Sequence, residues 1–225
     1  MEKLRKNPLT DAKNLHPYPE KESNPRAYFS QKSELQIWKE FKNGSEVALI
    51  NIYKFYYKTL YNYASQFTFD KNLIHDVIQD LFIELIKKRQ KLSDTTSIKF
   101  YLFRSVKTRL IGKLRKNKKI DYKENILDCY DFAISFSTES ILINQQIKEE
   151  QKKRLNAALQ KLTSKQREII YYYYFENLNL AEISVLMNFS NPKSAQNLLY
   201  KSIHHLKGIV LISYIIILTY LFRFL

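Results

Sequence analysis

The sequence predicts an all-α protein of two small helical domains joined by an acidic linker, the second containing a helix-turn-helix. Three observations carry this reading. Apolar residues recur at three- and four-residue steps along most of the 225 residues, the spacing that lines one face of a helix. Gly occurs three times and Pro five, so little interrupts helices. One stretch, IDYKENILDCYDFAISFSTES at 120–140, loses the period, and there Asp121, Glu124, Asp128, Asp131 and Glu139 stand against a single lysine. A segment of that length and composition marks a boundary between two periodic halves. Residues 33–119 then form the first domain and 141–208 the second, with a flexible polar lead-in at 1–32 and an apolar helical tail at 209–225.

In the first domain, SELQIWKEFKNG is a helix that stops at Gly44, and SEVALINIYKFYYKTLYNYASQF is one that starts at Ser45, a good N-cap. Its Tyr53, Phe55, Tyr56, Tyr57, Tyr61, Tyr63 and Phe67 are assigned to core packing rather than to base stacking, because aromatics spaced around a helix fill bundles. KNLIHDVIQDLFIELIKKRQKL has an apolar stripe of Ile74, Val77, Ile78, Leu81, Phe82 and Leu85. Asp76, Gln79, Asp80, Ile83 and Lys87 lie off that stripe, and an exposed isoleucine ringed by acids is a candidate protein-docking surface. After the polar break SDTTS, the helix IKFYLFRSVKTRLIGKLRKNKK turns Leu102, Val106, Leu110 and Leu114 inward. Its other sides carry Tyr101, Arg104, Lys107, Thr108, Arg109, Lys113 and Arg115, cations interleaved with an aromatic as nucleic-acid surfaces have them.

In the second domain, ILINQQIKEEQKKRLNAALQKL is helical and Thr163 caps TSKQREIIYYYYFENLNL. The four tyrosines from Tyr171 to Tyr174 are expected to split two inward and two outward, with Tyr173 and Tyr174 joining Ile169 and Ile170 against the helix-turn-helix. The next helix, read from Leu178, faces Leu180, Ile183, Leu186 and Met187 inward and ends at Asn188, a residue that tolerates left-handed backbone. Ser190 or Asn191 caps the last helix, whose first turn suits Pro192. There Ala195, Leu198, Ser202, Ile203 and Leu206 point inward, while Lys193, Ser194, Gln196, Asn197, Tyr200, Lys201 and His204 form the outer surface. Cations that pair with phosphate and amides that bond base edges are what a recognition helix needs in a major groove.

Composition narrows the function classes. Net charge is +15, which favours a polyanionic partner. Gly44, Gly112 and Gly208 lie far apart, which excludes Gly-rich phosphate loops. Cys129 is the single cysteine, so neither an internal disulfide nor a cysteine zinc site forms, and the cytoplasm fits best. The first 26 residues, MEKLRKNPLTDAKNLHPYPEKESNPR, lack the apolar core of a signal peptide. His204 and His205 are adjacent and point apart on a helix, and His16 and His75 are isolated, so no metal and no cofactor is expected. No nucleophile–base constellation exists, and Glu149 with Glu150 reads as a solvated surface; an enzyme is not expected.

The order of DVIQDLFIELIKK, FYLFRSVKTRLIGKLRK and LNAALQKLTSKQREIIYYYYFENLNLAEISVLMNFS resembles a bacterial RNA polymerase sigma factor of the extracytoplasmic-function class, over roughly Leu35 to Lys207. The resemblance implies a transcription initiation factor without catalysis of its own, with core RNA polymerase and promoter DNA as partners. The first domain is then region 2-like, docking on polymerase through Asp76, Gln79, Asp80 and Ile83. It would follow minus-ten DNA through the basic helix and receive an unstacked base at the loop 92–97. The second is region 4-like and would place Lys193 to His204 on the minus-thirty-five element, while the acidic linker would thread the polymerase channel. Asn188 and Ser184 stand where family members commonly have Gly and Ala. The apolar run of the tail is roughly fourteen residues, short of the roughly twenty that span a bilayer; it is expected to pack on its own domain, on a partner such as an anti-sigma factor, or along a membrane surface. The alternative reading is a helix-turn-helix regulator that binds duplex DNA without polymerase.

Overall fold

The computed structural model describes residues 24–118, 130–134 and 149–223, with side chains at 24–116, 130–134 and 155–207. Among the described residues every regular element is helical: α1 (Pro25–Gln31), α2 (Glu34–Lys42), α3 (Glu46–Ala64), α4 (Lys71–Lys88), α5 (Ile98–Lys118), α6 (Glu149–Gln160), α7 (Ser164–Ile170), α8 (Leu180–Leu186) and α9 (Pro192–Arg223). The predicted all-α class is the observed one. The lead-in before Asn24, Cys129, most of the linker acids, and the side chains of the apolar tail lie outside the described residues.

Local chemistry sets the helix ends. Ser33, Ser45, Asp70, Thr163 and Asn179 each accept a first-turn amide, and at Ser33, Thr163 and Asn179 the third residue returns a side-chain bond to complete a capping box. Gly44 follows α2 at φ +98°, in the left-handed region that glycine enters without a Cβ penalty. The last residues of the lead-in, predicted to be flexible, form α1. Phe29 stacks on Phe55 of α3 at 4.1 Å, and the Tyr28 hydroxyl donates to Glu40; these contacts supply what a seven-residue helix lacks on its own.

Helices α2 to α5 surround one aromatic core. Ile37, Trp38, Leu60, Tyr63, Ile74, Ile78, Leu81, Ile98 and Phe103 are fully buried in it. The six stripe residues predicted for α4 are all buried, and so are Tyr56, Tyr63 and Phe67 of the aromatic series. Glu34 organises the start of α5: it accepts the Tyr56 hydroxyl at 2.8 Å and the Ile98 amide, one of the unpaired donors at that helix end.

The C-terminal helices depart from the sequence reading in three places. Helix α8 begins at Leu180 rather than Leu178, because Asn179 is its cap; Leu178 is buried just ahead of it. Tyr171 and Tyr172 are the inward pair, while Tyr173 and Tyr174 are exposed. A π-helical turn at Tyr171–Phe175 adds a residue to the turn and rotates the following side chains out of the 3.6-residue phase on which the expectation rested. Leu199 is buried beside Ala195 on α9, one position beyond the predicted Leu198.

The two helical groups share a continuous core. Part of the predicted linker, 130–134, crosses between them with Tyr130, Phe132 and Ile134 buried. The Ala133 amide donates to the Gln66 carbonyl at 2.9 Å. On the other side the Phe132 amide donates to Ser164 Oγ at 2.8 Å, and Arg167 Nε donates to the Phe132 carbonyl at 2.6 Å. An acidic composition therefore conceals alternating apolar residues that pack, while Asp131 between them stays at the surface on Arg167.

Asn188 adopts φ 55° between α8 and α9, where a Cβ-bearing side chain without a local hydrogen bond is strained. Asn188→Ala is expected to lower the unfolding free energy by about 1 kcal/mol. Asn188→Gly is expected to retain wild-type stability, both read by urea unfolding.

Candidate nucleic-acid interface

Asn191 caps α9, accepting the Ser194 amide at 2.9 Å, which selects it over Ser190 and aims the first turn of α9 outward. Helix α8 packs directly on α9, and Ile183 and Leu186 of the one and Ala195 and Leu199 of the other are buried. What α9 presents to solvent is then Lys193, Asn197, Tyr200, Lys201 and His204, all exposed, with Tyr200 at 63%. Gln196 is half-buried and accepts from Lys193 Nζ at 3.1 Å. Ser194 is half-buried as well, and its hydroxyl lies 3.3 Å from Asn191 Oδ1, so it belongs to the cap. Six of the seven predicted α9 residues thus stand on one side with their functional atoms outward or in surface contacts.

Tyr200, Lys201, His204, His205 and Gln166 line a shallow open depression beside this face. His205 Nδ1 lies 3.4 Å from Gln166 Oε1, which turns it away from His204. Gln166 and His205 were missed in the sequence because they come from different helices. No group of three or more metal-ligating side chains occurs among the described residues.

On α4, Asp76, Gln79 and Asp80 are exposed and Ile83 is 36% exposed. Their spacing of three, four and seven residues places them along one face. The structure adds Ile86, 45% exposed and three residues beyond Ile83, so the apolar part of this surface is wider than the sequence reading made it. Asp80 pairs with Lys113 of α5 at 2.7 Å, and Glu84 pairs with Lys88 and Arg109. Those two cations hold the Glu84 carboxyl below the ordinary glutamate range.

The basic helix divides. Arg104 and Thr108 are exposed, with the Thr108 hydroxyl donating to the Arg104 carbonyl. Arg109, Lys113 and Arg115 are half-buried, the first two tied to α4 as above. Tyr101 is half-buried against Trp38 at a ring separation of 4.9 Å. Trp38 Nε1 in turn donates to the Ser93 carbonyl at 2.9 Å, and Lys42 pairs with Asp94 at 2.6 Å, so the loop at 92–97 is held from the α2 side.

Lys107 stands apart from the other predicted cations: it is buried. Its ammonium pairs with Glu168, which is 1% exposed, and donates to the Leu186 carbonyl at 2.7 Å. Leu186 ends α8, so Lys107 satisfies a free carbonyl at the negative end of that helix. Phe103 and Ile111, which the sequence reading left off the inner face, are buried too. Helix α5 is covered on two sides, by α3 and α4 and by the C-terminal helices, and the single predicted stripe was too narrow for that.

Two comparisons decide the family. Residues 52–120 match the family described as sigma-70 region 2, and residues 158–191 match sigma-70, region 4. The first match holds α4 and α5, the second α7 and α8, in the order the resemblance implies. The chain belongs to the sigma-70 family. It is similar to the ECF RNA polymerase sigma factor SigM of Bacillus subtilis (strain 168), 25% identical over 160 residues that make 70% of this chain and 92% of the relative. It is likewise similar to the ECF RNA polymerase sigma factor SigX of the same organism, 23% identical over 144 residues, 63% of this chain and 73% of the relative. Among solved structures it shares the fold of CnrH, determined in complex with the cytosolic domain of CnrY, at a TM-score of 0.51 and 15% identity, covering 80% of this chain and 97% of that one. This ECF-class sigma factor is a promoter-directing transcription initiation factor. No helix of its described residues is long and apolar enough to cross a membrane.

The burial of Lys107 separates its role in this sigma factor from that of its neighbours. Lys107→Met, which strands the Glu168 carboxylate among aromatics, is expected to cost about 3–5 kcal/mol of stability. Lys113→Ala, at a surface pair, is expected to change it by about 0.5 kcal/mol or less. Urea unfolding of the two variants side by side is the measurement.

Proposed function

We propose that the factor docks on core RNA polymerase through the α4 face of Asp76, Gln79, Asp80 and Ile83, extended by Ile86. Exposed isoleucines within an acidic rim suit a partner surface that is basic at its edge and apolar at its centre. The Asp80–Lys113 pair is solvent-exposed and so worth little by itself; a basic partner can take Asp80 over at small cost. That exchange also frees Lys113 for DNA.

The exposed and half-buried cations Arg104, Arg109, Lys113 and Arg115 of α5, together with Tyr101 and Thr108, are assigned to the backbone of minus-ten DNA, and the buried Lys107 is not. The loop at 92–97 receives an unstacked base. Extruding that base costs a few kcal/mol, which contacts in the loop must offset. Helix α9 is assigned to the minus-thirty-five element, with Lys193, Lys201 and His204 on phosphates and Gln196, Asn197 and Tyr200 toward base edges. Ser194 reaches DNA through the capped N-terminus of the helix. A restraining protein partner of the anti-sigma kind follows from the resemblance and from the likeness to CnrH, which was solved with the cytosolic domain of CnrY.

The observation that carries this reading is the coexistence of two unlike surfaces in one chain, an acidic-apolar one on α4 and a basic, amide-bearing one on α9. A regulator acting on duplex DNA alone has use only for the second. Asp80→Arg is expected to weaken co-migration with core polymerase at least tenfold and to abolish run-off transcription from native promoters, while duplex binding by α9 survives. Unchanged run-off with Asp80→Arg would remove α4 from the polymerase interface. Lys201→Ala is expected to weaken promoter binding across sequences and to reduce the slope of log affinity against log salt by about 1, measured by fluorescence anisotropy of the holoenzyme on labelled promoter DNA. Asn197→Ala is expected to relax sequence preference instead.

A further inference from the structure

Helix α9 joins two segments of unlike chemistry without a break. It runs from Pro192 to Arg223, 32 residues, about 48 Å at 1.5 Å per residue. Over 192–207 it has the two faces of a helix docked on its domain. Ala195, Leu199 and Ser202 are buried, while Lys193, Lys201, His204 and Lys207 are exposed. Over 208–222 no charged residue occurs, and the run IVLISYIIILTYLF at 209–222 has Ser213 and Thr219 as its only small polar residues.

The second segment has no polar side to offer water. Successive helical residues turn about 100° from one another, so the unbroken aliphatic runs at 209–212 and 215–218 go round the whole circumference. A helix that packs on one surface of its own domain keeps a polar face outward, whereas one that is apolar all round belongs in lipid or deep inside protein. The charge at the junction decides between these. Lys201, His204, His205 and Lys207 are exposed within about two helical turns of Ile209, in a chain of net charge +15. Such a cationic collar does nothing for an apolar helix entering a protein core. At a bilayer it adds attraction to anionic headgroups to the burial of the apolar segment, and the two together set the strength of attachment.

We propose that the segment 209–222 is a membrane anchor embedded in one leaflet of an anionic bilayer, and that bilayer and promoter compete for α9. At about 21 Å the segment is shorter than the roughly 30 Å hydrocarbon core, so it enters the bilayer without crossing it. Lying beneath the headgroups, it meets its backbone hydrogen bonds within the helix. Lys207 and Arg223, one at each end, have side chains long enough to carry their charges back to the surface. Because α9 is continuous, the anchored helix holds Lys201 and His204 within about 12 Å of Ile209, at the layer of lipid phosphates. These are the cations assigned above to promoter phosphates. A factor held at the bilayer is therefore withheld from the minus-thirty-five element until it is released.

The competition rests on the initiation reading and the anchor does not, so two readouts keep them apart. The full chain and its double variant Ile212→Asp, Ile216→Asp are mixed with vesicles of phosphatidylcholine and phosphatidylglycerol and floated on a density gradient, in which protein aggregates stay at the bottom. Run-off transcription from native promoters is then measured for both proteins with core polymerase, with and without vesicles. The wild-type chain is expected to float at least tenfold more than the double variant and to lose at least tenfold of its run-off when vesicles are added, while the variant's run-off is unchanged by them. A wild-type chain that stays at the bottom, or that floats no better than the variant, overturns the anchor; assemblies of the wild type that the double variant dissolves would assign the segment to protein contacts instead. Flotation without loss of run-off overturns the competition. If the double variant with core polymerase initiates nowhere even without vesicles, the initiation reading falls and the competition with it, while flotation still decides the anchor.

Discussion

The Glu168 carboxylate is the interaction on which the arrangement of this protein depends. It sits at 1% exposure among tyrosines and phenylalanines, where an unpaired charge is untenable. Three donors from three separate pieces of the chain, Lys107, Tyr130 and Tyr172, make it tolerable. Each donor then fixes its own element: Lys107 fixes the rotation of α5, Tyr130 the course of the segment that joins the two helical groups, and Tyr172 the π-helical turn. A polar group buried this way contributes specificity of docking more than net stability, because misdocked packings leave it unsatisfied.

The same constraint explains why α5 has the surfaces it does. One side packs on α3 and α4, where Phe103 stacks on Tyr63 of α3, and another meets the C-terminal helices through Lys107. Only a strip bearing Arg104 and Thr108 is fully exposed, flanked by the half-buried Arg109, Lys113 and Arg115. A helix with a single buried stripe leaves more than half of its circumference to solvent; this one leaves less. The cations it carries accordingly divide between holding the molecule together and reaching outward, although all share the same residue types.

Much of the candidate site was legible before the structure. The α4 face follows from strict helical spacing, since Ile74, Val77, Ile78, Leu81, Phe82 and Leu85 commit one side to the core and leave Asp76, Gln79, Asp80 and Ile83 on the other. The turn before α9 follows from the chemistry of Asn188, Asn191 and Pro192, each suited to one backbone conformation. The burial of Lys107 was only half legible. Phe103 and Ile111, four residues to either side, place it on a second apolar stripe that the single predicted stripe did not include, but the carboxylate that claims it lies 61 residues away. The phase of the tyrosine run escaped for a related reason, because a π-helical turn inserts a residue for the benefit of tertiary contacts that periodicity does not contain.

What the sequence determined by itself was local and periodic. It set the helical class, the capped starts at Ser33, Ser45, Thr163 and Asn179, the left-handed stop at Asn188, and the residue types offered on α4 and α9. These depend on neighbours within about one helical turn, whose geometry the backbone fixes in advance. The tertiary structure alone decided which of the cations on α5 face water, where the acidic segment becomes a packed strap, and how the two helical groups meet. Those outcomes rest on contacts between residues far apart in the chain, where burial turns one lysine among many into the partner of a single glutamate.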